Sequence, residues 1–132
     1  MSNKLYLVIP CYNEEEVLPE TAKRLKEKLL CLMEKGKAGD GSRIVFVNDG
    51  SKDRTWETIR SLHETDPLYS GINLSRNRGH QNALLAGLMT AKEYADMVIS
   101  MDADLQDDIN AVDDMIDKYL EGIDIVYGVR SS

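Results

Sequence analysis

The residues best suited to chemistry follow the abrupt end of an apolar run. Met97, Val98, Ile99, Ser100 and Met101 lead into Asp102, Ala103, Asp104, Leu105, Gln106 and Asp107, which places three acids in six positions. A short run of this composition reads as a buried strand. The acids then lie at or just past its carboxyl end, where open parallel α/β sheets bind ligands. Asp102 and Asp104 are one residue apart; extended chain would put both on one face, and a turn can also aim both at one ion. Hard oxygen ligands at a crevice suit Mg²⁺ or Mn²⁺ carrying a diphosphate. Taken alone, Asp-x-Asp is more often an acidic loop capping the next helix, so the decision rests on the elements that position it.

Leu5 to Ile9 is continuously apolar and reads as a first buried strand, with Pro10 expected to end it because proline cannot donate to a central ladder. Asn13, Glu14, Glu15 and Glu16 are expected to open a helix, with Asn13 as cap and Glu16 reaching back at capping-box spacing. Val17, Leu18, Ala22, Leu25, Leu29 and Leu32 then recur at helical spacing to about Glu34, with Pro19 tolerable near the start. A second strand is expected at Ile44–Val47, ended by the turn residues Asn48, Asp49, Gly50 and Ser51. Ser51 or Asp53 can cap a second helix whose apolar face includes Trp56, Ile59 and Leu62, and a short strand follows at about Ser70 to Leu74. From about Gln81 comes an apolar helix rich in small residues, then the strand from Met97 to Met101. A fourth helix carrying Val112, Met115, Ile116 and Tyr119 and a fifth strand from Ile123 to Val126 complete the pattern. Strands alternating with helices call for an α/β fold: a Rossmann-like, mostly parallel sheet with helices on both faces.

In such a sheet the carboxyl ends of the strands share one rim. Four polar clusters fall there: Cys11 to Glu14, Asn48 to Ser51, Ser75 to Gly79, and Asp102 to Asp107. Each alone reads as a cap or turn; four in register predict a crevice for a nucleotide. No Gly-x-Gly-x-x-Gly follows the first strand and no Walker Gly-Lys-Ser/Thr is present, which removes the usual dinucleotide and P-loop readings.

The chain has 132 residues, enough for one domain with a core of its own, and 42% hydrophobic with 30% charged residues is ordinary globular composition. A formal net charge of −7 argues against a nucleic-acid footprint and a polybasic membrane patch. Cys11 and Cys31 have neither metal spacing nor a disulfide framework and fit a reducing, cytoplasmic setting. Cys11 is expected to be small buried filler and Cys31 to pack within a helix. His63 reads as a helix-surface residue and His80 as a loop or helix-start residue, neither with a partner at metal spacing. No signal peptide or membrane-spanning run is evident.

The chain resembles the family 2 glycosyltransferases, which have the GT-A nucleotide-diphosphosugar transferase fold. The resemblance is carried by Val8-Ile9-Pro10-Cys11-Tyr12-Asn13-Glu14-Glu15, by Val47-Asn48-Asp49-Gly50-Ser51-Lys52-Asp53, by Ser75-Arg76-Asn77-Arg78-Gly79 with Ala83-Leu84-Leu85-Ala86-Gly87, and by Asp102-Ala103-Asp104-Leu105-Gln106-Asp107. The last segment is particularly similar to the polyprenyl-phosphate branch, the dolichyl-phosphate mannosyltransferase-like and bactoprenol glucosyltransferase-like enzymes. The resemblance implies that Pro10, Tyr12, Asn13 and Glu14 border the nucleoside, with Tyr12 packing on the base, and that Asp49 binds the base. It implies further that Asp102, with Ala103, contacts the ribose or sugar side, that Asp104 holds a divalent metal on the diphosphate together with Asp102 and Gln106, and that Arg78 or Arg76 reaches the nucleotide. Arg130 is a candidate for phosphate or acceptor, and equally for a plain surface arginine.

Three departures stand out. Asn48 replaces the first acid of a common Asp-Asp-Gly-Ser pattern, Asp108-Ile109-Asn110 replaces the branch's usual Pro-Pro-Glu, and the chain stops at Ser132. The expectation is therefore that residues 1–132 form the donor-binding part of an inverting hexosyltransferase. The resemblance implies a nucleotide-sugar donor, UDP-glucose-like or GDP-mannose-like, a divalent metal and a polyprenyl-phosphate acceptor. It places the intact protein at the cytoplasmic face of the membrane through segments absent here. The acceptor base is expected beyond Ser132, so the chain alone should bind donor and transfer poorly. A homo-oligomer is an open expectation. A polysaccharide or cell-wall acceptor, a nucleotidyltransferase, and a non-catalytic nucleotide-binding or assembly module are the alternatives.

Overall fold

The computed structural model describes residues 4–74, 79–101, 103 and 116–117. Within these the order is β1 (Leu5–Cys11), α1 (Leu18–Glu34), β2 (Arg43–Asp49), α2 (Thr55–Thr65), β3 (Tyr69–Leu74), α3 (His80–Ala91) and β4 (Met97–Ser100). All pairings are parallel and the sheet order is β3-β2-β1-β4. The chain moves outward from β1 to β3, then returns to the far side of β1.

That reversal explains the layers. Right-handed crossovers put helices on one face while the chain advances one way and on the other face when it turns back. Alternate residues of β1 accordingly serve two cores. Leu5, Leu7, Ile9 and Cys11 pack with Ile44 and Phe46 against Leu18, Ala22, Leu25, Leu29 and Leu32 of α1 and Ile59 of α2. Val8, with Val45 and Val47, packs against Ala83 and Ala91 of α3 on the opposite face. The small residues of α3 let it lie close: a Cβ on Gly87 would run into Val8 and reach within 2.9 Å of Val47 Cγ2.

Pro10 does not end the first strand. β1 continues to Cys11, with Pro10 paired to Val47 and Cys11 to Asn48. The Val8 carbonyl accepts the Met101 amide at 3.0 Å, so Val8 and, two residues on, Pro10 turn their backbone groups towards β4. Pairing with β4 stops at Val8–Ser100, so the missing N–H of Pro10 falls where the ladder has run out. β2 likewise runs past Val47 to Asp49, placing Asn48 and Asp49 in the strand rather than in a turn.

The start of α1 also differs from the expectation. The helix begins at Leu18 with Val17 as N-cap and no side-chain cap. Asn13 has φ 53° and engages another loop instead. Cys31 lies on α1 but is exposed, because it falls on the face turned away from the leucines. The remaining elements through β4 follow the sequence pattern. Ile116 and Asp117 are helical, as expected for a fourth helix, whose other residues lie outside the described ones, as does the expected fifth strand.

Candidate functional site

Reversal of direction next to β1 creates a topological switch point between β1 and β4, at the carboxyl rim where such sheets bind ligands. The loop after β1 and the loop after β2 open on this rim. Tyr12 follows β1 and is 41% exposed, while Pro10 and Asp49, at the ends of β1 and β2, are buried and Glu14 is half-buried. Asn48, beside Asp49, donates its amide to Asn73 Oδ1 at 2.8 Å and accepts the Ser51 N–H on its own oxygen at 3.3 Å. Asn48 therefore closes the end of β2 onto β3 and shapes the turn at Gly50, whose φ is 66°.

The two loops are fastened to each other by five hydrogen bonds. Asn13 N–H donates to Ser51 Oγ at 2.9 Å, Glu14 N–H to Thr55 Oγ1 at 2.8 Å, and Glu15 N–H to Asp53 Oδ2 at 3.3 Å. In return Lys52 N–H donates to Asn13 Oδ1 at 2.8 Å and Arg54 N–H to Glu15 Oε1 at 3.4 Å. Three consecutive amides after β1 form the kind of concave donor set that binds anions in other proteins. Here side-chain oxygens of the neighbouring loop use all three. The concavity alongside, about 380 Å³, is lined by Glu14, Glu15, Glu16 and Asp53 with Asn13 and Val17. Neither feature suits an anion such as a diphosphate.

Asp53 is held charged. Burial, the largest single influence, pushes its pKa up, but the Thr55 hydroxyl and the amides of Thr55 and Glu15 outweigh it and bring the carboxyl below its ordinary value. The sequence reading offered Asp53 only as a helix cap. It does accept the Thr55 N–H at 2.9 Å, although Arg54 occupies the N-cap position. Its second role in joining the loops had one signal, the Asp-x-Thr spacing that allows a carboxylate and a hydroxyl to share partners. Cys11, beneath the first loop, is buried as small filler: burial, and then the charge of Glu14, push its thiol pKa well up, and the thiol donates to the Ile9 carbonyl.

On the β4 side, Met101 and Ala103 are buried in the core. The Ala103 carbonyl accepts the Thr21 hydroxyl at 2.5 Å. Ala103 thus presents no side chain to a ligand and its carbonyl is already used. Arg76, Arg78, Asp102, Asp104, Gln106 and Arg130 lie outside the described residues. Among the described residues no group of three or more His, Cys, Asp or Glu side chains could hold a metal ion, and no helix is long and apolar enough to cross a membrane. His63 is exposed on α2, as expected, with Nδ1 2.6 Å from the Tyr69 carbonyl.

The glycosyl transferase family 2 model matches residues 6–132. The chain belongs to that family. Members with similar sequence include the uncharacterised glycosyltransferase YkoT of Bacillus subtilis, 52% identical over 97% of this chain and 38% of that protein. The prophage bactoprenol glucosyl transferase homologue of Escherichia coli is 41% identical over 97% of this chain and 39% of its own length. The chain thus spans less than two-fifths of the length of these relatives. Among solved structures, the Pyrobaculum calidifontis mannosyltransferase PcManGT, in complex with GDP-Man and Mn²⁺, superposes with a TM-score of 0.63 at 24% identity, over 79% of this chain and 28% of that one. S. aureus TarS 1–349 in complex with UDP gives 0.62 at 19% identity, over 89% and 33% of the two chains. At these identities the likeness establishes the fold, which is the GT-A, Rossmann-like α/β architecture expected from the sequence.

Proposed function

We propose that this chain is the donor-binding part of an inverting hexosyltransferase that takes a sugar from a nucleoside-diphosphate sugar to polyprenyl phosphate. The observation that carries the reading is the placement of Tyr12 and Asp49 at the carboxyl ends of the neighbouring parallel strands β1 and β2, beside the switch point between β1 and β4. Tyr12 is exposed enough to stack on a base. Asp49, at the end of β2, is the residue proposed to accept hydrogen bonds from one. Because the first loop's amides are already bonded and its concavity is acidic, the diphosphate belongs on the β4 side of the crevice.

Two comparisons support the finer reading. Relatives bear the name bactoprenol glucosyl transferase, which favours a lipid-phosphate acceptor and action at the cytoplasmic face of the membrane. A structural neighbour holds GDP-Man and Mn²⁺, which favours a divalent metal held by Asp102 and Asp104 with Gln106. Such an ion would neutralise charge on the departing diphosphate. In the transfer itself, an acceptor phosphate oxygen bonds to the anomeric carbon as the bond from that carbon to the diphosphate oxygen breaks, inverting the centre. A phosphate acceptor is already anionic at neutral pH and needs little help from a base. A nucleotidyltransferase is disfavoured by the acidic first loop, where a glycine-rich basic loop would be required.

Calorimetric titration with UDP-glucose and with GDP-mannose, with and without Mn²⁺, tests the reading on the wild-type chain and on Asp104→Ala and Asp49→Asn. Metal-dependent binding of one donor is expected, with metal dependence lost in Asp104→Ala and affinity reduced about tenfold or more in Asp49→Asn. Binding of neither donor by the wild-type chain overturns the donor-site reading.

A further inference from the structure

We infer that Thr55 is a positioning residue for nucleoside recognition, the pin that makes the loops after β1 and β2 a single preformed wall. The inference rests on the donor-site reading above.

Thr55 is fully buried at the start of α2. Its hydroxyl accepts Glu14 N–H at 2.8 Å across the gap between the loops and donates to Asp53 Oδ1 at 2.5 Å within its own. The other oxygen of Asp53 accepts Glu15 N–H. One hydroxyl therefore fixes one backbone amide directly and orients the carboxylate that fixes the next. Asn13, on the Tyr12 side of these amides, sits at φ 53°, a conformation that asparagine tolerates better than most residues but that other contacts must still hold. The contacts that hold it are its N–H to Ser51 Oγ and its Oδ1 to Lys52 N–H.

Tyr12 is joined directly to this strained residue, and Asp49 is joined through Gly50 to Ser51. β2 holds Asp49 in the sheet, so the fastening of the first loop sets where Tyr12 stands relative to it. A ligand that meets a prebuilt wall need not spend binding energy on ordering it. Thr55 touches no ligand in this arrangement. It acts through the first loop, so its loss should appear in affinity for the nucleoside portion and be restored by any side chain that returns the hydroxyl.

The test uses UDP and GDP as separate probes in calorimetry with Mg²⁺, with melting and circular dichroism on the same samples. Thr55→Val keeps the shape and removes the hydroxyl; it should weaken binding of the preferred nucleotide about tenfold, whereas Thr55→Ser should stay within about threefold of wild type. Tyr69→Phe removes another buried hydroxyl, far from the rim, and should lower stability without changing affinity. That contrast separates positioning from general destabilisation. If Thr55→Val binds as tightly as wild type, the inference falls while the donor-site reading stands. If wild type binds neither nucleotide, both fall. Should Thr55→Val fail to fold, Ser51→Ala, which removes only the acceptor for Asn13 N–H, carries the test: weaker binding supports the fastening and unchanged binding overturns it.

Discussion

The Thr21 hydroxyl donates to the Ala103 carbonyl across 82 positions of sequence, with both residues buried. Thr21 interrupts the leucine stripe of α1 with a polar group in the core. Its partner is the residue between the two aspartates of the acidic segment. The helix that covers one face of the sheet is thereby tied to the backbone of the segment expected to bind metal and sugar. The Met101 N–H to Val8 carbonyl bond ties the residue just before that segment to β1.

Removing that tie should be felt as stability. Thr21→Val preserves volume but leaves the buried Ala103 carbonyl without its donor, which costs about 1–3 kcal/mol. Thr21→Ser keeps the hydroxyl and should lose less. Urea unfolding followed by circular dichroism measures both, and an unchanged midpoint for the valine variant would show that another group satisfies the carbonyl.

Acid should loosen the joined loops. Asp53 titrates below its ordinary value of 3.8 in the folded chain because its hydrogen bonds outweigh burial. Its contribution to stability is therefore present above the unfolded-state pKa and is lost as pH falls through the folded value, a window that opens below about pH 4. Asp66 adds to the same limb, its pKa lowered first by the Lys26 ammonium, 2.6 Å away, and then by the Leu68 amide. Asp53→Asn should be less stable than wild type at neutral pH and lose less on acidification. Parallel acid limbs for the two proteins would contradict the assignment.

The architecture was readable in the sequence because it follows from hydrophobic runs and their spacing, which local composition records. Leu25, Leu29 and Leu32 announce α1, and Val8 with Ile9 announces a buried strand. The failures lie where a long-range partner decides a local choice. Asn13 has the chemistry of a helix cap, yet Ser51 and Lys52 claim it. Pro10 has the chemistry of a strand breaker, yet β1 continues because β4 has already parted from it on the side that Pro10 faces. Thr21 and Thr55 were invisible as site-shaping residues because a hydroxyl in an apolar stripe carries no mark of the carbonyl or amide that it will meet. Tyr12 and Asp49 reach the rim through strand–helix alternation, which brings every strand's carboxyl end there, while the roles of both, and of Asp102, Asp104, Gln106 and Arg78, rest on the family resemblance.

Close approach of α3 to the sheet gives a prediction of opposite sign to helix propensity. Alanine at Gly87 gains about 1 kcal/mol of intrinsic helix preference. Its methyl would overlap Val8 and press on Val47, both fully buried in the second core. Overpacking of this kind costs about 1–3 kcal/mol, so Gly87→Ala should be net destabilising. A compensating Val8→Ala in the same chain should recover part of the loss. A rise in melting temperature for Gly87→Ala alone would mean that α3 can move off the sheet without penalty.

Alkaline pH should single out Tyr69. Its hydroxyl donates to the Ala22 carbonyl at 2.8 Å inside the core, joining β3 to α1. Burial first, and then the nearby Asp66 charge, push its pKa from 10.0 up to about 12. The folded chain therefore keeps this proton when the unfolded chain has lost it. Stability from the group is complete below about pH 10 and declines as pH rises towards 12. Tyr69→Phe should cost about 1 kcal/mol or more at neutral pH through the lost hydrogen bond, but it has no proton to lose. The stability gap between wild type and Tyr69→Phe, measured by urea unfolding at successive pH values, should narrow above about pH 10. A gap that stays constant would place the Tyr69 hydroxyl in contact with water rather than in the core.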